Sequence, residues 1–202
     1  MGIHNYQIIG CPSIYLQKSY EHMRGKHPSL ERLLVTFTRN IPEDSYMPWD
    51  YALMQTGSKY HAAWCKQTMS EYPGDLIQQG ELDPQIVDWV NSSCHIFYNC
   101  EQWSQWLRKC VFTLCFGSRF HGNMMAFQNG IPTLWVDHDS RTAELLEFLH
   151  LPHVDKSQIT DADSIADLLD ACDYDDFLEH YPDLRRRYIQ FLRDNGIMLK
   201  KW

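Results

Sequence analysis

Gly117-Ser118-Arg119-Phe120-His121-Gly122-Asn123 places a guanidinium, an imidazole and two neutral hydrogen-bonders within seven residues. Arginine grips a carboxylate or phosphate through two parallel hydrogen bonds, and histidine holds or transfers a proton near neutral pH. The flanking glycines let a ligand approach the backbone closely. Such a run describes an anion site with a proton handler in it. The plainer alternative is a surface corner in which Arg119 pairs with Asp137 or Asp139 and His121 caps a helix. A nucleotide P-loop is excluded, because Asn123-Met124 stands where Lys-Ser/Thr is required. A serine-hydrolase triad through Ser118 and His121 lacks the Gly-x-Ser-x-Gly elbow.

The surrounding pattern must position these groups. Val111 to Phe116 is an uncharged apolar run, as expected of a strand covered on both faces. Gly117 to Gly122 breaks it, Asn123 to Gln128 has helical character, and Asn129-Gly130 ends that helix before Pro132. Thr133 to Val136 reads as a second strand and Arg141 to Leu149 as a second helix. In open α/β sheets ligands lie beyond the carboxyl ends of strands, where loops enter helix N-termini that carry partial positive charge. The alternation predicts an α/β fold, a Rossmann-like parallel sheet flanked by helices, over a single domain 1–202.

At these residues the chain resembles the polysaccharide pyruvyl transferase family. Gly117-Ser118-Arg119-Phe120-His121-Gly122 is followed by Ala126, Gly130-Ile131-Pro132, an Asp139-Ser140-Arg141 turn and a helix containing Glu144. Gly10-Cys11-Pro12-Ser13 is similar to that family's mid-chain element, so the two matches bracket roughly residues 8 to 152. The resemblance implies one half of a GT-B-type two-domain fold, the C-terminal, donor-binding half. It implies transfer of a pyruvyl group from phosphoenolpyruvate to two hydroxyls of a sugar acceptor, forming a cyclic ketal and releasing phosphate. Arg119, with Arg39 as a second clamp and Ser118, Gly122 and Asn123 beside it, would hold the donor. His121 would be the general acid, or a phosphate contact, and Glu144 an acceptor-hydroxyl contact. Family members are usually longer at the N-terminus, so a missing N-terminal domain is the expected partner. No cofactor is implied beyond the donor substrate. Two other readings stay open: a GT-B-like glycosyltransferase or nucleotide-sugar-binding domain, and a non-catalytic half that only binds an anion.

The remaining segments add bounds. At 202 residues, with 44% hydrophobic and 13% aromatic content, the chain suits one domain with a substantial core. A net charge of -8 disfavours nucleic acid and anionic membrane surfaces. No apolar run nears ~18 residues, and the expected location is cytoplasmic, or peripheral at the inner face of a membrane. Seven cysteines without a Cys-x-x-Cys pair suggest reduced thiols rather than a disulfide framework or zinc site. His138, His150 and His153 with Asp137 and Asp139 match no compact metal motif, and no metal is expected. Tyr6 to Ile9 reads as a strand leading into Gly10-Cys11-Pro12-Ser13. Cys11 could be a nucleophile there, but no activating partner stands near it in sequence, and a tight turn is the simpler reading.

Leu33 to Thr38 reads as a central strand that brings Arg39 to the ligand edge. Trp49 to Tyr72 carries a helical pattern, Asp75 to Gln79 a strand, Pro84 to Ser92 a helix and His95 to Tyr98 a strand. Glu101 to Lys109 reads as a helix with Trp103, Trp106 and Leu107 on one side; the aromatics could line a sugar site, but their i, i+3, i+4 spacing favours a core-facing stripe. Asp161 to Ala171 reads as an acidic helix. Pro182 to Gly196, within a terminal segment 182–202, reads as a basic amphipathic helix that packs back on its own domain or touches anionic lipid.

Overall fold

The computed structural model describes residues 7–36, 63–66, 94–97, 99–159 and 164–197. Among these residues, six parallel strands form one sheet: β1 (Leu33–Thr36), β2 (Ala63–Lys66), β3 (Cys94–Ile96), β4 (Leu114–Gly117), β5 (Thr133–Asp137) and β6 (His153–Asp155). Their spatial order is β3-β2-β1-β4-β5-β6, and each neighbouring pair is parallel. This is the strand order of a doubly wound Rossmann sheet, which reverses direction between β1 and β4.

Helices α1 (Cys100–Cys110), α2 (Phe120–Gln128), α3 (Ser140–Phe148), the single turn α4 (Ser164–Asp167) and α5 (Asp175–Asp194) flank the strands. Side chains alternate across a strand, and that alternation separates two cores. Leu33, Val35, Leu114 and Phe116 join one of them, while Leu34 and Cys115 join Trp103, Leu107, Phe112 and Ala126 in the other. β1 and β4 are buried at every position, which is why their sequences are apolar throughout rather than alternating.

Several expected boundaries move. Val111 is no strand residue: it ends α1 in the left-handed region at φ 50, exposed, and β4 begins only at Leu114. A left-handed residue closes the helix because its backbone turns N–H groups back on the last carbonyls, a geometry that a β-branched side chain seldom takes. Ala63–Lys66, inside the expected Trp49–Tyr72 helix, is strand β2, paired with Leu34, Val35 and Thr36 of β1. Sheet pairing overrode its helical pattern. Residues 7–10 form no strand but an irregular segment entering a 3-10 turn, Pro12–Leu16. The acidic stretch divides into α4 and a 3-10 turn, Leu169–Ala171.

α5 begins at Asp175, seven residues before the expected start, and Pro182 lies inside it. Phe177, Leu178, Tyr181 and Leu184 are buried, so the helix packs on its own domain. The aromatic stripe of α1 behaves as expected, with Trp103 and Leu107 buried, each worth about 1.5–3 kcal/mol of apolar burial. Trp49–Ala62, Asp75–Gln79, Pro84–Ser92 and Arg39 fall outside the described residues. Among the described residues, no helix is long and apolar enough to cross a membrane.

Candidate functional site

The sheet reverses between β1 and β4, so the crevice beyond Thr36 and Gly117 is its ligand edge. The run singled out in the sequence begins there. Gly117 ends β4, Ser118 and Arg119 make the turn, and α2 starts at Phe120, three residues earlier than its pattern suggested. His121 and Gly122 are therefore first-turn helix residues, not loop residues. The first turn of any helix presents N–H groups with no partner inside the helix, and Asn123 N donating to Arg119 O at 3.0 Å is where α2's own bonding begins.

Three residues hold this corner shut. Gly117 has φ +152, and a Cβ there would stand 1.7 Å from Thr36 O, so β1 and β4 close only around a glycine. A Cβ on Gly122 would already meet Thr36 Cβ at 3.0 Å. Asn123 is fully buried. Its Nδ2 donates to Gly117 O at 2.7 Å, and its Oδ1 accepts from Thr36 Oγ1 and, at 3.5 Å, from Cys115 Sγ. Asn123, expected as a ligand contact, is thus a brace tying α2 to both strands, because both ends of its amide point into the protein.

The other expected site residues are distributed as follows. Ser118 is buried, Arg119 is half-buried at the N-cap position of α2, and His121 is exposed, with Phe120 edge-on to its ring at 5.4 Å. Gly122 is buried against Thr36. Glu144 is exposed on α3, and nothing in the described contacts brings it to His121. Arg39 follows β1 in sequence but lies outside the described residues.

A further candidate, read from the sequence as part of a tight turn, is Cys11. Cys11 Sγ lies 3.4 Å from His121 Nε2 and 3.0 Å from Ser13 Oγ. His121 stands 110 positions away in sequence, beyond any local motif; the one signal is the Gly10-Cys11-Pro12-Ser13 run itself. Partial burial raises the Cys11 thiol, but the hydrogen bonds from His121 and Ser13 and the charge of His121 outweigh it and bring it down to about 7. Where burial outweighs the hydrogen bonds it acts the other way, pushing Cys115 up and Cys172 up to about 12. Cys11, Cys100, Cys110, Cys115 and Cys172 are free thiols.

The segment carrying Cys11 is held from two sides. Gln128, at the end of α2, donates to Ser13 O at 2.7 Å and accepts from Gln17 Nε2 at 2.6 Å. Segment 11–17 therefore runs the length of α2, from its first turn to its last. On the outer side, Tyr181 of α5 donates to Ile14 O at 3.1 Å and Gln17 O at 2.5 Å, Arg185 donates to Gln17 O, and Tyr188 stacks on Tyr15 at 4.4 Å.

Carboxylates gather further along the ligand edge. Asp137 and Asp155 end β5 and β6 in register. Burial, then the Asp155 charge, raises Asp137, while the hydrogen bond from Ser157 lowers Asp155. A cavity of about 350 Å³ lies at the opposite, amino end of β6, lined by Glu147, His150, Pro152, His153 and Asp176 among others. At its rim His150 and His180 stack at 3.8 Å, with the Asp176 carboxylate 2.9 and 3.1 Å from their Nδ1 atoms. These three are the described group able to hold a metal ion, and only His150 belongs to the set considered in the sequence.

Comparison with known proteins leaves the family open. No family model matches the chain, and no curated protein matches it. Among solved structures it aligns with Os79 from O. sativa in complex with a trichothecene at 15% identity and a TM-score of 0.45, covering 88% of this chain and 42% of that one. A UDP-glucose:anthocyanidin 3-O-glucosyltransferase in complex with UDP aligns at 10% identity and 0.41, covering 94% and 40%. The glycotransferase of kitacinnamycin aligns at 14% and 0.40, covering 84% and 44%. The chain spans about two fifths of the length of these structures, and overlaps of this size assign it no activity. The fold class rests on its own strand order: a Rossmann-like parallel sheet flanked by helices.

Proposed function

We propose that this chain is the donor-binding half of a transferase that modifies a sugar from a phosphate-bearing donor. The observation that carries the reading is the position of Arg119 and His121 at the turn into α2, beside the point where the sheet reverses. A donor phosphate or carboxylate there meets a guanidinium and the positive end of a helix. An acceptor would then approach from outside, on a second domain.

Two donors suit this edge. Phosphoenolpyruvate is favoured by the Gly-Ser-Arg-Phe-His-Gly motif and by a proton carrier beside the anion site. In pyruvyl transfer the methylene carbon gains a proton, two acceptor hydroxyls bond to the central carbon, and phosphate departs; of the two hydroxyl protons lost, the balance places one on the methyl group and one on phosphate. His121 would supply the proton. A nucleotide sugar is favoured by the strand order itself, that of nucleotide-binding Rossmann sheets.

Titration calorimetry with phosphoenolpyruvate and, in parallel, UDP-sugars decides between them. Saturable binding of phosphoenolpyruvate that Arg119→Ala abolishes supports pyruvyl transfer, and a preference for the UDP-sugar moves the chain to glycosyl transfer. Binding of neither removes the donor-site reading for the isolated chain. If His121 is a general acid, His121→Ala lowers turnover by about 10²–10⁴-fold; a loss confined to donor affinity makes it a phosphate contact instead.

A further inference from the structure

We propose that Cys11 and His121 form a nucleophile–acid couple at the ligand edge, able to add a thiolate and a proton across an activated carbon–carbon double bond. The geometry supplies both halves. Cys11 Sγ and His121 Nε2 are 3.4 Å apart, and Ser13 Oγ adds a second contact to the sulfur at 3.0 Å. His121 is exposed and Cys11 half-buried, so a small molecule reaches both.

Other groups hold the two backbones in place. The segment bearing Cys11 is anchored by Gln128, Tyr181 and Arg185, and Asn123 and Gly117 fix the start of α2; none of these bonds uses the thiol or the imidazole. Two independently fixed backbones thus bring a thiol and an imidazole together at the one edge where ligands of this fold bind.

The chemistry balances without a further reagent. Transfer of the thiol proton to imidazole leaves thiolate and imidazolium, and the thiolate is the nucleophilic form. When Sγ bonds to one carbon, the π pair takes the imidazolium proton at the other, nothing is expelled, and His121 returns to neutral. On phosphoenolpyruvate the proton goes to the methylene carbon and sulfur to the carbon bearing the phosphate. This deepens the phosphoenolpyruvate reading, yet the couple can be tested apart from it.

Acrylamide, a small activated alkene, is the probe. The full chain is labelled across pH 5 to 9.5 and Cys11 followed by peptide mass spectrometry, with exposed Cys100 as the internal standard. Cys11 labelling should rise with a midpoint near 7. In His121→Gln the midpoint should move toward the ordinary thiol value of about 8.5. The rate at pH 7 should then fall roughly threefold or more, because the thiolate fraction drops about fifteenfold while the more basic thiolate is intrinsically faster. A Cys11 profile that coincides with that of Cys100, or one that His121→Gln leaves unmoved, overturns the couple. Adding phosphoenolpyruvate separates the two ideas: protection of Cys11 that Arg119→Ala removes places the donor at the couple. Absence of protection, with the midpoint still near 7, refutes phosphoenolpyruvate as the donor and keeps the couple.

Discussion

At the scale of single residues, the ligand edge is built by groups buried beneath it. Gly117 is there because Thr36 O fills the space any Cβ would need, and Asn123 because two strand ends and a helix start converge on one buried amide. Gly117→Ala should destabilise the fold by more than about 3 kcal/mol, since a backbone conformation that L residues rarely adopt is compounded by a direct overlap. Asn123→Ala should cost about 1–3 kcal/mol through the carbonyl and hydroxyl it leaves unpaired in the core. Equilibrium urea unfolding checks both. Asn123→Ala with wild-type stability would mean that the amide does not brace this corner. The place of Arg119 and His121 after β4 was legible because a charged turn follows a buried apolar run. Asn123 was misassigned because an amide looks the same in sequence whether it faces a ligand or the core.

At the scale of elements, helix starts decide which groups face the edge. Asp139 caps α3: its Oδ1 accepts from Thr142 N at 2.7 Å, and the hydrogen bonds from Thr142, side chain first and then backbone, hold the carboxyl below its ordinary value. Asp139→Ala should cost about 1 kcal/mol, a fall in melting temperature of about 2–4 °C for a chain of this size. Because the folded-state pKa is depressed, the stabilisation is complete above the ordinary Asp value and is lost as pH falls through the folded one. The deficit of the variant should accordingly be full at pH 7 and shrink toward zero below about pH 3.9. Thermal melts at both ends of that range measure it, and a pH-independent gap would rule out the charged cap. The start of α2 was misplaced by three residues because Gly122 reads as a breaker, whereas here it is the only side chain small enough to pass Thr36.

At the scale of the whole molecule, the N-terminal segment is clamped between α2 and α5, and that clamp carries Cys11 to His121. Tyr181 is its central rivet, donating to Ile14 O and Gln17 O. Tyr181→Phe should lower stability by about 1 kcal/mol and speed hydrogen–deuterium exchange across residues 11–17. The midpoint of Cys11 labelling should move up with it, because a looser segment holds the thiol less steadily against His121. Faster exchange without movement of that midpoint would show that the couple does not depend on α5.

The sequence by itself determined the parallel α/β class, the core-facing stripe of α1 and the edge at which Arg119 and His121 stand. Each of these follows from local pattern: apolar runs with turns between them, 3.6-residue spacing, and a charged turn after a buried strand. Tertiary structure alone decided that Ala63–Lys66 is a strand, that Asn123 turns inward and that Cys11 meets His121. Those outcomes depend on partners far along the chain. A strand exists only against its neighbour, an amide's role is set by whatever surrounds it, and a thiol is activated by a base that the fold carries to it from 110 residues away.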